Sequence, residues 1–192
     1  MSESCRRGVD FERIICDNCN TTSEEEFKQI ATNYFVGTGA QGYDIDIALQ
    51  TTCKISNIIK GGEQQVKVCK DMEFGNEKYH LLGYADIVFP PNKIIDIKTT
   101  SKYTEGYNYV KRSQHYLYSY CTGINTFEYL VADYKESLVP RELHRIEFNL
   151  TQDENKWVLE KRISEMMSFI RTEGLYKDYC EIFTEGSADK KN

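Results

Sequence analysis

Two aspartates and a lysine lie close together in the middle of the sequence, in segments that have the pattern of neighbouring strands. Asp96 and Lys98 belong to the run Lys93-Ile94-Ile95-Asp96-Ile97-Lys98. Because side chains alternate along a strand, these two charged groups share one face of it. Asp86 lies ten residues before Asp96, near the end of the preceding strand. An antiparallel pairing through the turn at Pro90-Pro91 would bring the two carboxylates together.

Two neighbouring carboxylates repel each other, and a hard divalent cation with oxygen ligands relieves that repulsion. We therefore expect Mg²⁺ or Mn²⁺ between Asp86 and Asp96, where it could activate a water and balance charge on a phosphoryl group. Lys98 would position the water and stabilise the transition state electrostatically. The alternative interpretation is an ordinary salt bridge between Lys98 and one of the aspartates, because structural ion pairs also occur on sheets.

The segment that follows carries polar groups at helical spacing. Gln114 and Tyr118 are four residues apart, so they share one face of a helix. Lys111 and His115 form a neighbouring row of the same spacing, and Arg112 lies close to them. The pattern indicates a basic, hydrogen-bonding helix directly after the strand of Asp96. The alternative is a packing helix whose polar residues face water.

Helices and strands predicted along the rest of the chain would hold these groups in place. Hydrophobic periodicity and capping signals predict elements of both classes along the chain. The predicted helices cover 23–34, 40–49, 106–121 and 153–172, and the predicted strands cover 64–72, 78–89, 93–99, 126–133 and 142–150.

This order predicts an α/β fold with a central mixed β-sheet flanked by helices. The sheet would consist of a three-strand meander plus two further strands. We expect one domain over residues 23–185, an N-terminal extension over 1–22 and a polar tail over 186–192.

The composition is that of an ordinary globular protein. The chain has 192 residues, is 40% hydrophobic and carries a net charge of −6. It has no apolar run of about 18 residues and no secretory signal pattern, so we expect a cytoplasmic protein without a membrane partner. Its acidity counts against a protein that wraps DNA, because duplex binding usually needs a basic surface. Contact with nucleic acid would then be local and supported by bound cations.

Seven cysteines are spread along the chain. Cys16 and Cys19 have the spacing of metal ligands, but a closed zinc site needs four. Cys5, Cys53 or Cys180 would have to complete it. The alternative is ordinary reduced thiols.

Three motifs in order resemble those of the PD-(D/E)XK nuclease superfamily, and most of all its RecB-like exonuclease branch. They are Gly83-Tyr84-Ala85-Asp86, Asp96-Ile97-Lys98-Thr99-Thr100 and Gln114-x-x-x-Tyr118. That branch includes CRISPR-associated adaptation nucleases and small phage exonucleases. The resemblance extends over residues 37–150 and implies a restriction-endonuclease-like fold.

The resemblance also implies a role for each matched residue. Asp86 and Asp96 would bind Mg²⁺ or Mn²⁺ together with the backbone carbonyl of Ile97, and Lys98 would serve the attacking water. Gln114 and Tyr118 would orient the site. The expected contacts with the nucleic-acid backbone come from Lys111, Arg112 and Tyr118. The expected activity is metal-dependent hydrolysis of DNA phosphodiester bonds, as an exonuclease on DNA ends or single strands.

The sequence departs from the resembled pattern at the first metal ligand. The branch usually has a histidine after a Gly-Thr motif, and the matching position here is Gln41. An amide oxygen can ligate a hard cation, so Gln41 is one candidate, and Asp44, Asp46 and Glu63 are others. Relatives with a four-cysteine iron–sulfur cluster carry three ligands after the core. This chain has only Cys180 there, so we expect no cluster.

Two other functions fit the same motifs. The chain could be an inactive relative that binds nucleic acid or a protein, or a nuclease subunit active only inside a recombination or CRISPR-adaptation complex. Tyr103, Tyr107 and Tyr109 follow the lysine strand and could stack on bases, or they could be core residues. The sequence does not decide between DNA and RNA, strand polarity, exonuclease or endonuclease action, or oligomeric state.

Overall fold

A computed structural model describes residues 3–20, 23–104 and 107–185. Five strands form one mixed sheet in the order β1-β2-β3-β4-β5. Their bounds are β1 Glu63–Phe74, β2 Glu77–Phe89, β3 Lys93–Thr100, β4 Thr126–Asp133 and β5 Glu142–Asn149. The first three strands form an antiparallel meander, β3 and β4 are parallel, and β4 and β5 are antiparallel. The predicted α/β fold with a mixed five-strand sheet is confirmed.

The pairing of β2 with β3 ends just where the two aspartates face each other. Ile87 lies opposite Ile95, and the ladder runs from there toward the turn. Continuing the register by one residue sets Asp86 opposite Asp96, but the backbones are no longer paired at that point. Beyond this point β3 stays paired with β4 as far as Thr100. The sheet therefore opens between β2 and β3 at these two carboxylates.

Seven α-helices and one short π-helical turn occur in the described residues. Their bounds are α1 Glu3–Asn18, α2 Glu24–Gly37, α3 Tyr43–Ile59, α4 Tyr107–Val110, α5 Gln114–Thr122, α6 Gln152–Thr172, α7 Tyr176–Cys180 and the π-helix Glu181–Glu185. Ser23 caps α2 through a reciprocal capping box with Glu26, as its sequence indicates. The predicted helix over 40–49 is longer, because Ile55 and Ile59 continue its buried face.

The helix predicted over 106–121 is wrong as one element. α4 is a single turn, and the chain turns again before α5 begins at Gln114. Lys111 and Arg112 lie in this connection and do not share a helical face with His115. No proline or glycine marks the break at this point, so local sequence carried little signal for it.

One face of the sheet is covered by α1, α2 and α3. Phe11 and Ile15 of α1 are almost fully buried in the same core as Phe35, Ile55 and Ile97. The prediction of an extension over 1–22 therefore differs from the structure, since residues 3–18 form a helix that is part of the domain core. Residues 1–2, 21–22 and 186–192, the last being the predicted tail, lie outside the described residues.

The other face is covered by α5 and α6. Tyr118 of α5 packs on the sheet with Val88, Phe127 and Tyr129. Gly83 of β2 makes this packing possible, because a Cβ there would lie 2.5 Å from a ring carbon of Tyr118. No helix in the described part of the chain has both the length and the apolar character needed to cross a membrane.

Candidate active site

Asp86 and Asp96 lie where the sheet opens, and both are buried. Asp96 is 0% exposed and Asp86 is 8% exposed. An oxygen of Asp86 accepts a hydrogen bond of 2.9 Å from the backbone N–H of Ile97, a group that the strand pairing leaves free. The carboxylate of one strand thus replaces the missing ladder bond of the other, and this contact fixes the position of Asp86. The predicted proximity of the two aspartates is what the structure shows.

Lys98 points to the same face of β3 as Asp96. Its ammonium lies 2.5 Å from Oδ2 of Asp96, so the two groups form a short ion pair at a buried oxygen. The lysine side chain is 23% exposed, so it links the buried carboxylate to the surface. This is also the salt bridge that the alternative interpretation expects.

Glu12 of α1 is a site residue that the sequence reasoning missed. It lies close enough to Asp86 for the two carboxyl groups to hydrogen-bond when one of them is protonated. Gln65 of β1 donates a hydrogen bond of 3.0 Å to Glu12. Gln65 has a left-handed backbone (φ 48°), which is costly for a residue with a Cβ and is typical of functional sites. The site therefore uses α1 and β1 as well as β2 and β3.

The sequence around Glu12 has the spacing of an amphipathic helix. Phe11, Ile15 and Cys19 follow at helical spacing and are all buried. Gly8 and Glu12 form the neighbouring row, and Gly8 lets α1 approach β3 closely, since a Cβ there would lie 2.6 Å from Oγ1 of Thr99. The spacing predicts an amphipathic helix, but the contact between its acid and Asp86 arises only from the packing of distant elements.

Gln114 and Tyr118 meet the site from α5, as their spacing predicts. The amide nitrogen of Gln114 donates to Asp96 at 2.7 Å and to the hydroxyl of Tyr118 at 3.0 Å. Tyr118 is only 6% exposed. Its hydroxyl therefore orients Gln114, and Gln114 in turn fixes Asp96. The ring of Tyr118 is buried, so it does not offer the surface contact with nucleic acid that was expected of it.

The protonation of the three carboxyl groups reflects their crowding. Burial, and next the charge of Asp86, raises the pKa of Asp96 to about 7. The same two causes, in the same order, raise the pKa of Glu12 to about 7. Burial also raises the pKa of Asp86, although Lys98 and the Ile97 N–H oppose that shift. All three groups therefore hold protons more tightly than an exposed acid does.

The charges of the cluster are suited to a divalent cation. Three carboxylates face one ammonium, so the fully ionised group has a net charge of −2, which one divalent ion balances. All the donors are oxygens, the set that Mg²⁺ and Mn²⁺ prefer. The buried Oδ2 of Asp96 has the Lys98 ammonium as its partner, a cation that a bound metal ion would replace. The residues present therefore fit such an ion, with Asp86, Asp96, Glu12 and the carbonyl of Ile97 as its candidate ligands.

The oxygens of the three carboxyl groups are too far apart to contact one ion at the same time. Within the described residues, only Asp133, Glu142 and His144 bring one ligand atom each within 4.8 Å of one another. Glu12, Asp86 and Asp96 are more widely spaced. The ammonium of Lys98 lies against Asp96, so binding of a cation between the aspartates requires that Lys98 turn away from Oδ2.

The candidates for the first ligand lie elsewhere. Gln41 is exposed in the turn before α3 and makes no side-chain hydrogen bond within the described part of the chain. Asp44 pairs with Arg141 at 2.6 Å, on the loop between β4 and β5. Asp46 is exposed on α3, and Glu63 is exposed at the start of β1, opposite Val88.

The predicted ligand Gln41 therefore does not contact Asp86 or Asp96. The same holds for the alternatives, Asp44, Asp46 and Glu63. Glu12 takes the position next to the aspartates. Sequence order misled the assignment, because the helix that supplies the third acid comes before the Gly-Thr motif.

The expected basic helix face is also different. His115 is fully buried, with its ring stacked on Phe148, and burial lowers its pKa to about 4, so it is a neutral core residue. Arg112 lies over the ring of Tyr109 at 5.0 Å and is exposed. Lys111 is exposed beside it, with its carbonyl bound by Arg162. Lys111 and Arg112 lie in the connection between α4 and α5, not on a helical face shared with His115.

The tyrosines after β3 are mainly packing residues. Tyr109 is buried against Tyr129. Tyr103 is stacked on the ring of His144, with ring centres 3.7 Å apart and an angle of 7° between the planes. The side chain of Tyr107 lies outside the described residues. The alternative of core tyrosines therefore describes Tyr109, and Tyr103 is already stacked within the chain.

Cys16 and Cys19 are buried free thiols. Burial raises the pKa of both, which favours the protonated form, whereas a zinc ligand is a thiolate. Cys19 accepts a hydrogen bond of 3.0 Å from Gln64. Within the described chain they join no group of three or more metal-ligating side chains. Both pack in the core between the sheet and the helices α1, α2 and α3.

Comparison with known proteins does not assign the chain to a family. No protein-family model and no curated protein matches the chain. A crystal structure of SSO0001 is similar, with a TM-score of 0.45 and 16% identity. The match covers 62% of this chain and 65% of that one, so this chain spans about two thirds of its length.

Proposed function

We propose that this protein is a divalent-metal-dependent nuclease with a restriction-endonuclease-like fold, which hydrolyses phosphodiester bonds of DNA. The observation that carries the proposal is the cluster at the opening between β2 and β3, in which Asp86 and Asp96 are buried and Glu12 and Lys98 are half-buried. Ionising all three carboxyl groups of such a cluster is costly unless a cation balances their charge. The motif resemblance supplies the substrate class.

The residues have separable tasks in this proposal. Asp86, Asp96 and the carbonyl of Ile97 would bind Mg²⁺ or Mn²⁺, and Glu12 would complete the set directly or through water. When bound, the cation would lower the pKa of a water and neutralise charge on the phosphate. Lys98, freed from Asp96, would donate hydrogen bonds to the attacking water or to a phosphate oxygen.

Gln114 has a positioning task. It donates one hydrogen bond to Asp96 and another to the hydroxyl of Tyr118, so Oδ1 of Asp96 has a fixed direction.

A cavity of about 360 Å³ opens where β3 ends, lined among others by Arg7, Thr99 and Ser101. It lies one helical turn from Glu12 along α1 and next to Lys98 along β3. Thr99 faces α1, on the side of β3 opposite to Lys98, so the cavity lies on the α1 side of the sheet.

Cleavage of labelled DNA by variants tests the proposal. Linear single-stranded and double-stranded DNA, each labelled at one end, would be incubated with Mg²⁺, Mn²⁺ or EDTA. We expect cleavage with metal and none with EDTA. Asp96→Asn, Asp86→Asn and Glu12→Gln should each lower the rate by about 100-fold or more. The products from one labelled end also distinguish stepwise removal of nucleotides from internal cuts.

Two control variants test whether the third metal ligand is Glu12 or one of the residues expected from the sequence. Gln41→Ala and Asp44→Asn alter candidate ligands that the structure places away from the cluster, so their rates should stay within about twofold of the parent. Cleavage that depends on Gln41 but not on Glu12 would contradict the site proposed here. Absence of metal-dependent cleavage by the isolated protein, or equal rates for Asp96→Asn and the parent, would refute the nuclease proposal and favour a binding module or an obligate complex subunit.

A further inference from the structure

A second cluster of metal-ligating groups lies at the ends of β4 and β5. Asp133 ends β4 and lies opposite Glu142, which begins β5. His144 follows two residues later, so its side chain is on the same face as that of Glu142. One ligand atom from each of the three lies within 4.8 Å of the other two. The cluster shares no residue with the candidate active site.

The imidazole of His144 is poorly satisfied by its neighbours. Its Nε2 is buried and has no hydrogen bond to any of the residues that the structure describes. The nearest carboxylate oxygens are Oδ2 of Asp133 at 3.6 Å and Oε2 of Glu142 at 3.8 Å. An N–H···O hydrogen bond needs about 2.7–3.2 Å. Two ligands on one tetrahedral zinc, with bonds of about 2.0–2.1 Å, lie about 3.4 Å apart. The spacing is thus closer to that of ligands around an ion than to that of hydrogen-bond partners.

Asp133 provides an independent indication. Its side chain is 95% buried, since only 5% is exposed. One oxygen accepts a hydrogen bond of 2.9 Å from the backbone N–H of Lys135, and the other, Oδ2, lies 3.6 Å from Nε2 of His144. A carboxylate on a side chain that is buried to this extent is stabilised by a nearby cation or by hydrogen-bond donors. Tyr103, stacked flat on His144, fixes the direction in which the imidazole points.

We infer that Asp133, Glu142 and His144 bind one divalent transition-metal ion, with zinc as the best fit. One imidazole nitrogen and two carboxylate oxygens, completed by a water, form a four-coordinate set that suits zinc. A nitrogen ligand disfavours Mg²⁺, which prefers oxygen alone. The site is therefore chemically distinct from the all-oxygen cluster of Asp86 and Asp96. It does not depend on the nuclease proposal.

Lys135 is the built-in competitor of the ion. Its ammonium is in contact with Oε2 of Glu142, and both side chains are about half exposed. An exposed ion pair of this kind is weak, so a metal ion can displace the lysine. Lys135 has a left-handed backbone (φ 46°), a conformation that asparagine tolerates well. Lys135→Asn therefore removes the charge without a new backbone strain.

Zinc binding to the full chain tests the inference, with calorimetric titration of ZnCl₂ at neutral pH as the measurement. His144→Gln should weaken the tightest zinc site by about 100-fold or more, since loss even of an outer hydrogen-bond partner costs 10–100-fold. Glu142→Gln, on the exposed edge strand, should weaken it in the same direction without affecting the fold. His80→Gln is the matched control, because His80 also pairs with a carboxylate, at 2.7 Å, but outside such a cluster.

Lys135→Asn separates a metal site from an ordinary ion-pair cluster. A metal site predicts that zinc binds about two- to fivefold more tightly once the competing charge is gone. Asp96→Asn should leave this binding unchanged, which distinguishes the site from the candidate active site. Unchanged zinc affinity in both His144→Gln and Glu142→Gln, or weaker binding in Lys135→Asn, would overturn the inference.

Discussion

Asp96→Asn should remove much of the stability loss that the protein undergoes as the pH rises, although it removes a site residue. Burial and the charge of Asp86 raise the pKa of Asp96 from 3.8 to about 7. The folded chain therefore holds this proton more tightly than the unfolded chain does. Between those pKa values the folded state binds more protons, so its stability falls as the pH rises. Asparagine has the same shape, still accepts the hydrogen bond of Gln114, and cannot titrate.

The size of the effect follows from the same shift. From pH 5 to the folded pKa near 7 is about two units, and each unit corresponds to about 1.4 kcal/mol. Ionisation of Asp96 thus costs the parent protein about 2–3 kcal/mol between pH 5 and pH 8. The difference in unfolding free energy, Asp96→Asn minus parent, should be larger at pH 8 than at pH 5 by that amount. Effects of the substitution that do not depend on pH cancel in this comparison.

Urea unfolding with EDTA present, at pH 5 and pH 8, measures the difference. Glu128→Gln is the matched control: Glu128 is 1% exposed, but it pairs with Lys93 at 3.1 Å and Arg145 at 2.5 Å. Burial raises its pKa, yet the two hydrogen bonds outweigh burial and leave the pKa lowered. Glu128→Gln should therefore destabilise the protein at pH 8, by about 1–3 kcal/mol.

Manganese adds a second comparison at pH 8. At 100 times its dissociation constant an ion stabilises the folded parent by about 2.7 kcal/mol, and Asp96→Asn should gain far less. The reasoning is refuted if Asp96→Asn has the same effect at pH 5 and pH 8, or if it is less favourable at pH 8 than at pH 5.

Three further predictions follow from other contacts. Lys98→Met should lower DNA cleavage by about 100-fold yet tighten Mn²⁺ binding, because its ammonium no longer competes for Asp96; weaker Mn²⁺ binding in calorimetry would contradict this. Gly83→Ala should cost about 1–3 kcal/mol in urea unfolding, since the new Cβ meets a ring of α5 at 2.5 Å, whereas Gly37→Ala has open space and should cost under about 0.5 kcal/mol. Burial lowers the pKa of His115 to about 4, so the parent protein loses stability as the pH falls from 6.5 to 4. In His115→Phe this loss of unfolding free energy should be smaller by about 2–3 kcal/mol. Equal acid sensitivity in both proteins would exclude His115 as the cause.

Local rules were sufficient for the part of the site on β2, β3 and α5. Alternation along a strand sets Asp96 and Lys98 on one face, and a tight turn sets Asp86 opposite Asp96. Helical spacing sets Gln114 beside Tyr118. Each of these relations spans few residues or one turn, so a sequence pattern can specify it.

The rest of the site depends on contacts between distant segments. Glu12 reaches Asp86 only because α1 packs across β3, and no local pattern indicates which side of the sheet a helix covers. The opening between β2 and β3 is equally nonlocal, since register alone predicts continued pairing of Asp86 with Asp96. The break before Gln114 is short and lacks a glycine or proline. The neutral core role of His115 follows from burial, which its spacing to Lys111 does not reveal.

The claim that Asp86 and Asp96 share a divalent cation is tested most directly by diffraction from a crystal soaked in Mn²⁺, recorded at the manganese absorption edge. We predict an anomalous peak at the opening between β2 and β3, about 2.0–2.2 Å from an oxygen of each aspartate, with Glu12 bound directly or through water and Lys98 turned away from Asp96. A map with no peak at the aspartates, or with manganese only at Asp133, Glu142 and His144, would contradict the claim.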